Sequence, residues 1–264
     1  MKKIILSVLI LFSIFSCCKK DDPEPEVQQH YKLPTDYHIH VYDSTHTEIS
    51  SQDIHFIYNG RLLTRYESNS VNHYGSYQWK YEYTYSDEDK GLIERKKEYY
   101  NNEYKKYYRY IYDNDKLIRI EHYDAQADTL TYLQEFTYHG DRVIRSRKRS
   151  VSGTSDVTEV YTFDGDNLIN VKGYYTSDLN SIIYEYDYRY DDKFSPQKNI
   201  LTNTGPLKGI HNKTYWKTRV YIGSGFLTEM FYQYNYDSED YPVKRIQTYA
   251  NSRITTETDI EYTY

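Results

Sequence analysis

The histidine pair and the aspartate-rich turns are the first places in this sequence to look for metal chemistry. His38-Ile39-His40 puts two imidazoles on one face of a strand, because residues i and i+2 of a strand share a face. A zinc site needs three or four protein ligands, and no third ligand stands at a recognisable spacing. Asp113-Asn114-Asp115 and Asp164-Gly165-Asp166 look like the start of calcium loops but lack the glutamate that completes such a loop. We therefore predict turns here, with no metal and no cofactor.

Nucleophilic catalysis has equally little support in the sequence. The only two cysteines, Cys17 and Cys18, lie close to the N-terminus, so the rest of the chain has no thiol nucleophile and no disulfide framework. No nucleophile elbow, paired-carboxylate motif or Ser/His/Asp order stands out from the scattered acidic residues. The sequence predicts a protein that is not an enzyme.

Aromatic side chains are the residues best suited to binding. Tyr and Trp offer a flat apolar face with a polar rim, which fits both sugar rings and protein surfaces. Trp79, Tyr215 and Trp216 are the candidate ligand-binding residues, because tryptophan is scarce here, although all three could simply pack a sheet. The charges are of mixed sign. We therefore expect binding through aromatics on one sheet face or beside the segment 194–214, with little salt dependence and with loss on Trp79→Ala or Trp216→Ala.

The N-terminus has the order of an export signal. Lys2 and Lys3 precede an apolar run over residues 4–15, which is the length of a signal-peptide core and too short to span a bilayer as a helix. The stretch Ile14-Phe15-Ser16-Cys17 resembles the lipobox of bacterial lipoproteins. That resemblance implies cleavage after residue 16 and acylation of Cys17, with Cys18 as the alternative register. Several acyl chains on one cysteine give stable membrane anchoring.

Residues 17–30 read as a lipidated cysteine followed by a flexible acidic, Pro-containing tether. Within it, Cys18-Lys-Lys-Asp-Asp22 resembles the export signal of some Gram-negative lipoproteins. It implies an outer-membrane protein that is lipid-anchored and exposed at the cell surface. Loss of the leader changes the formal net charge from −6 to −8, which argues against nucleic acid as a partner. The membrane, reached through the anchor, is the expected partner.

A tyrosine-rich unit recurs through residues 31–264. The chain contains 36 Tyr against 8 Phe and 2 Trp, and the segment Trp79–Tyr85 alternates aromatic and polar residues as a strand with one aromatic face does. The last aromatic before each polar turn recurs every 25 to 27 residues, apart from one gap of 46. These aromatics are Tyr58, Tyr85, Tyr112, Tyr138, Phe163, Tyr190 and Tyr236. A fixed period of this length indicates an array of identical supersecondary units.

The period and the turns together predict the fold. Each unit gives one hairpin, so the array makes an all-β antiparallel meander of about sixteen strands. Open sheets beyond about ten strands usually curl, split or close. We expect a strongly twisted or coiled sheet, or a barrel-like roll, interrupted by a loop near residues 194–214, where Pro and Gly cluster.

The turn sequences resemble those of tyrosine-aspartate (YD, or RHS-like) repeat proteins, and the whole chain resembles the short YD-like lipoproteins of Gram-negative surfaces. The residues that carry the likeness are Tyr112–Ile120, Phe163–Ile169, Tyr190–Lys193 and Tyr236–Pro242. It covers most of residues 50–264. From this chain we expect a non-catalytic surface lipoprotein acting as an interaction or scaffold module. The alternative is a glycan-binding lipoprotein of a nutrient-uptake system that uses exposed aromatics.

Overall fold

The computed structural model describes residues 31–140, 143–151, 156–201, 211–221, 225–252 and 254–263, and these residues form one closed antiparallel β-barrel. No helix of this part of the chain is long and apolar enough to cross a membrane. The sixteen strands are β1 Leu33–Tyr42, β2 Glu48–Asn59, β3 Leu62–Asn72, β4 Gly75–Asp87, β5 Leu92–Tyr100, β6 Glu103–Asp113, β7 Lys116–Asp124, β8 Thr129–His139, β9 Val143–Ser150, β10 Asp156–Asp164, β11 Asn167–Tyr175, β12 Asp178–Phe194, β13 His211–Val220, β14 Phe226–Tyr236, β15 Pro242–Tyr249 and β16 Thr255–Thr263.

Every strand pairs with its neighbours in sequence, and β1 pairs with β16 to close the barrel. The predicted all-β meander is therefore confirmed, and of the forms that the sequence left open the barrel is the one observed. The predicted loop at 194–214 is too long at both ends, because Phe194 ends β12 and His211 begins β13. The predicted signal peptide 1–16, Cys17 and the tether 17–30 lie outside the described residues.

In five of the repeats described here, a tyrosine hydroxyl joins two neighbouring strands at the point where the repeat period falls. The recurring tyrosine stands near the end of an even-numbered strand. Its hydroxyl donates a hydrogen bond to a backbone carbonyl at the start of the odd-numbered strand that precedes it. The bonds measure 2.5 to 2.8 Å in Tyr58 to Pro34, Tyr85 to Leu63, Tyr138 to Leu117, Tyr190 to Leu168 and Tyr262 to Pro242. In most units a β-bulge accompanies this tyrosine.

Phe163 occupies the equivalent place in the fifth unit without a hydroxyl, so one such bond is dispensable. We expect Tyr138→Phe to lower the free energy of unfolding by about 0.5–1.5 kcal/mol, because the carbonyl of Leu117 loses its donor while the ring still packs. Chemical denaturation measures the change. Tyr74→Phe, at a side chain 86% exposed, is the control, and an equal loss in both variants would contradict the assigned role.

The inward face of the barrel is aromatic and apolar. Cross-strand partners share a face, so the ladder that passes through Tyr37, Ile54 and Ile260 fixes which residues point inward. One core cluster is built on Leu117, Phe136, Ile144, Tyr161, Phe163, Leu168 and Val171. A smaller cluster joins Leu33, Leu63 and Ile200. The stripe of tyrosines that alternates along each strand is thus largely the lining of the interior.

The outward face is charged around the barrel. The positions between the inward tyrosines carry ion pairs across and along strands, from β4 to β16. Examples are Lys80–Glu82 at 3.2 Å, Arg119–Glu135 at 3.5 Å, Arg147–Asp156 at 2.6 Å, Arg219–Asp187 at 2.8 Å, Lys217–Glu229 at 2.6 Å and Lys244–Glu257 at 2.6 Å. Exposed pairs of this kind add little stability individually, because solvent and salt screen them.

One end of the barrel carries the Asx- and Gly-containing turns, and a segment of chain crosses it. Residues 195–201, which follow β12, run over this end and reach the β2–β3 turn, where Leu201 N donates to Arg61 O at 3.0 Å. Arg61 Nε returns a bond of 2.9 Å to Asn199 O, and Ile200 packs into the smaller core cluster. We call residues 195–201 the cap segment.

Candidate functional site

A cavity of about 380 Å³ lies inside the barrel beneath the cap segment. It is walled by inward residues of β11 to β16 and of β1, and Ser195, Pro196 and Gln197 of the cap segment line it at the end of the barrel. This volume is at the lower end of the range found for small-molecule sites. The cavity is the candidate site because it combines enclosure with unpaired polar groups.

Tyrosines make up much of the wall. Tyr190 and Tyr234 are held by their hydroxyls, which donate to the carbonyls of Leu168 and Lys213 at 2.7 Å each. The hydroxyls of Tyr188 and Tyr232 make no hydrogen bond to any described residue, so they are free to meet a ligand. Burial raises the pKa of Tyr232 to about 12, and both hydroxyls are donors at neutral pH.

Two cations point into the same space. Lys213 Nζ lies 4.4 Å from the ring centroid of Tyr188 and 5.6 Å from that of Trp216. Arg245 donates from Nη2 to Thr258 Oγ1 at 3.1 Å, while its buried Nε has no partner. Burial, and then the nearby Arg245 guanidinium, lower the pKa of Lys213 to about 8. Neither cation forms an ion pair with a described carboxylate.

No carboxylate lines the cavity among the described residues. The nearby carboxyl of Asp191 is already engaged, because it accepts the hydroxyl of Tyr236 and the backbone N–H of Asn212, the latter at 3.3 Å. A site with two cations, free phenolic donors and no anion of its own is electrostatically prepared for a negatively charged group.

Groups that could act as a catalytic pair in the cavity are occupied elsewhere. His211 Nδ1 contacts the side-chain amide of Asn167 at 2.8 Å, and Ser195 Oγ accepts the N–H of Gln197 at 3.3 Å. Ser195 and His211 share no hydrogen bond in the described part of the chain. Ser195 therefore has no imidazole base bonded to it among these residues.

The sequence-predicted aromatics do not come together. Trp79 faces inward from β4 and packs on Tyr81 and Tyr100, with ring centroids 6.5 and 4.7 Å away. Trp216 also faces inward but lies on β13, where it stacks with Tyr188 at 6.4 Å and so stands directly behind the cavity wall.

Tyr215 faces outward, as expected for the immediate neighbour of an inward Trp216. Its hydroxyl donates to Glu229 Oε1 at 2.9 Å. Only Trp216 of the three candidates therefore adjoins the cavity, and whether any of them binds a ligand stays a prediction. Lys213 and Arg245 were missed, because nothing in their local sequence marks them; only the strand register shows that they point inward.

The histidine pair lies on the outer face. His38 Nδ1 contacts Asp53 Oδ1 at 2.8 Å and His40 Nδ1 contacts Glu48 Oε2 at 3.0 Å, so each imidazole has its own carboxylate. No cluster of three or more metal-binding side chains occurs among the residues that the structure describes.

No family model matches the sequence, and comparison with curated proteins finds no match. Among solved structures the chain is similar to a porin-like protein from Bacteroides uniformis ATCC 8492, at 12% identity and a TM-score of 0.42, over 87% of this chain and 96% of that one. It is also similar to a porin-like protein from Bacteroides vulgatus ATCC 8482, at 14% identity and a TM-score of 0.40, over 88% of this chain and 99% of that one.

Proposed function

We propose that this protein is a non-catalytic glycan-binding lipoprotein of the outer membrane, which holds its barrel outside the bilayer and takes a small saccharide into the cavity beneath the cap segment. The observation that carries the proposal is the cavity itself: tyrosine faces surround it, and the hydroxyls of Tyr188 and Tyr232 are free. Aromatic faces pack on the apolar faces of sugar rings while phenolic hydroxyls bond the ring hydroxyls.

The outer surface supports a tethered barrel over a membrane-spanning one. A spanning barrel presents an apolar band outward and a polar interior, and a charge on the lipid face near the bilayer centre costs about 2–4 kcal/mol. This barrel has the opposite pattern, with ion pairs such as Arg219–Asp187 outside and the aromatic core inside. A lipid on Cys17 would then supply the attachment to the membrane that the barrel surface does not.

We expect Tyr188→Ala and Tyr232→Ala each to weaken saccharide binding tenfold or more, since each removes a ring face and a free hydroxyl from the cavity. Binding of the mature protein to a panel of neutral and acidic saccharides, measured on a glycan array and then by calorimetry, checks this. Tyr107→Ala is the matched control, because Tyr107 stacks on Tyr123 on the outer face, with centroids 4.6 Å apart. Failure to bind any saccharide would contradict the proposed function.

A second candidate function, a protein interaction or scaffold module, is supported by exposed apolar side chains on the outer face of β14. Leu227 and Phe231 are 48% and 44% exposed and lie four residues apart on this strand. Apolar patches of this kind mark contact sites in many soluble domains. A stable protein partner that co-purifies from membranes and is lost with Phe231→Ser, in a protein that binds no saccharide, would favour this function over the first.

A further inference from the structure

The interior of the barrel contains two kinds of buried charge. On β10, Glu159 is 6% exposed and lies 2.5 Å from the ammonium of Lys148, and it also accepts the hydroxyls of Tyr161 and Tyr184. That charge is paired and hydrogen-bonded, as buried charges in proteins generally are. The paired cluster shows that this fold can neutralise an inward charge with its own residues.

Lys213 and Arg245 have no such neutralisation. They line the same cavity, where the guanidinium lowers the pKa of the ammonium, and the buried Nε of Arg245 has no acceptor among the described residues. Two like charges without an anion destabilise a folded interior. An anionic ligand between them would satisfy both at once.

We propose that the cavity binds an acidic saccharide, a sugar carrying a carboxylate or sulfate group, with Arg245 and Lys213 holding the anion and the tyrosine wall holding the ring. This inference rests on the proposed function and narrows its substrate class. The guanidinium of Arg245 lines the cavity and presents a planar fork of donors that matches a carboxylate or sulfate. The ammonium of Lys213 adds a second donor from the neighbouring wall.

The groups around Lys213 leave no competing anion in the described cavity. The groups that share the cavity with it are the ring of Tyr188 on β12, Tyr232 and Tyr234 on β14 and the guanidinium of Arg245 on β15, with His211 on its own strand. The tyrosines are neutral below their raised pKa values. A ligand therefore meets a cavity whose net charge at neutral pH is positive, although the protein as a whole is acidic.

The test compares galacturonate, galactose 6-sulfate and galactose on the mature protein, by calorimetry and by the fluorescence of Trp216, which lies beside Lys213. We expect one or both acidic sugars to bind at least tenfold more tightly than galactose. Arg245→Gln and Lys213→Gln should each remove most of that preference, so that the acidic sugars bind about as tightly as galactose. Arg65→Gln, on the outer face beside Glu67, is the control of equal charge change and should have no effect.

Affinity for the acidic sugars should also fall as the pH rises through about 8, because Lys213 loses its proton there in the free protein. Lys213→Arg should bind and lose this pH dependence. The melting temperature of Lys213→Met distinguishes a role in binding from a structural role of Lys213. It should equal or exceed that of the parent protein, since the substitution removes an unpaired buried charge.

The outcomes distinguish this inference from the proposed function. Galactose binding as tightly as its acidic counterparts would overturn the inference and leave the glycan-binding function standing. No binding of any sugar would overturn both. A melting temperature that falls clearly in Lys213→Met, together with an unchanged preference for acidic sugars in Lys213→Gln, would show that the lysine is there to pack the wall.

Discussion

Gly91→Ala is expected to lower the melting temperature by about 5–15 °C and to release the cap segment. Gly91 stands in the β4–β5 turn at φ +65°, and a Cβ there would lie 2.1 Å from the carbonyl oxygen of Leu201. The clashing oxygen belongs to the backbone of the cap segment, so the clash can be relieved only if that segment moves. Left-handed strain and overpacking together cost about 2–4 kcal/mol, which corresponds to this shift for a domain of this size.

Gly60→Ala is the matched control for that change. Gly60 lies in the β2–β3 turn at φ +56°, so it has the same backbone strain, but a Cβ there meets no atom within 4 Å. It should cost about 1–2 kcal/mol and leave the cap segment in place. Thermal unfolding and limited proteolysis measure the two effects. Equal melting temperatures and equal protease resistance in both variants would show that the contact with Leu201 does not hold the cap.

Release of the cap segment should also weaken ligand binding, because Ser195, Pro196 and Gln197 line the cavity. The same segment is also held by Asn199, whose side-chain amide donates to Lys32 O at 3.0 Å and to Tyr241 Oη at 2.7 Å. The cap segment is therefore bonded to the residue before β1, to the β14–β15 turn and to the β2–β3 turn, and Leu201 lies against Gly91 of the β4–β5 turn. These tertiary contacts join distant parts of the sequence.

The sequence predicted the hairpin array well, because its cause is local. Alternation in a segment such as Trp79–Tyr85 fixes one face per strand, and Asx or Gly in each turn permits the positive φ that tight hairpins need. The repeat tyrosine was recognised as a period but not as a bond. Its acceptor lies about twenty residues away, as Leu117 does from Tyr138, and only the paired strands show this.

Closure and the site were beyond local sequence reasoning. The pairing of β1 with β16 joins residues such as Tyr37 and Ile260, and no short-range pattern specifies it. The inward direction of Lys213 depends on a bulge in β13 between Lys213 and Tyr215, and that of Arg245 depends on its pairing with Thr258. A one-residue slip would have turned either side chain to solvent.

The strand register also bears on the role that charge was expected to have in ligand binding. Mixed surface charge suggested binding through aromatics alone, with little salt dependence. The cavity instead places two cations beside the tyrosines, where water screens them less than it does the outer ion pairs. Tyr215 and Trp216 are neighbours in the sequence but lie on opposite faces of the sheet. Composition does not say which face a residue lies on, so it could not show which charges line the cavity.

The proposed lipid on Cys17 would hold at the membrane a barrel whose outer face is charged. We expect Cys17→Ala, combined with Cys18→Ala and an ordinary secretory leader, to move the protein almost completely into the soluble fraction, because several acyl chains provide the binding energy. Cys18→Ala alone should leave the protein on the membrane. Loss of membrane association in Cys18→Ala alone would show that the lipidated register is wrong.

Partition of the protein without its lipid anchor, between membrane and soluble fractions, tests the tethered barrel most directly. The outer ion pairs predict a folded protein in the soluble fraction without detergent, with the melting temperature of the lipidated form and undiminished saccharide binding. A folded barrel that stays in the outer membrane without any acylated cysteine would contradict this, since its outer face would then have to lie in lipid.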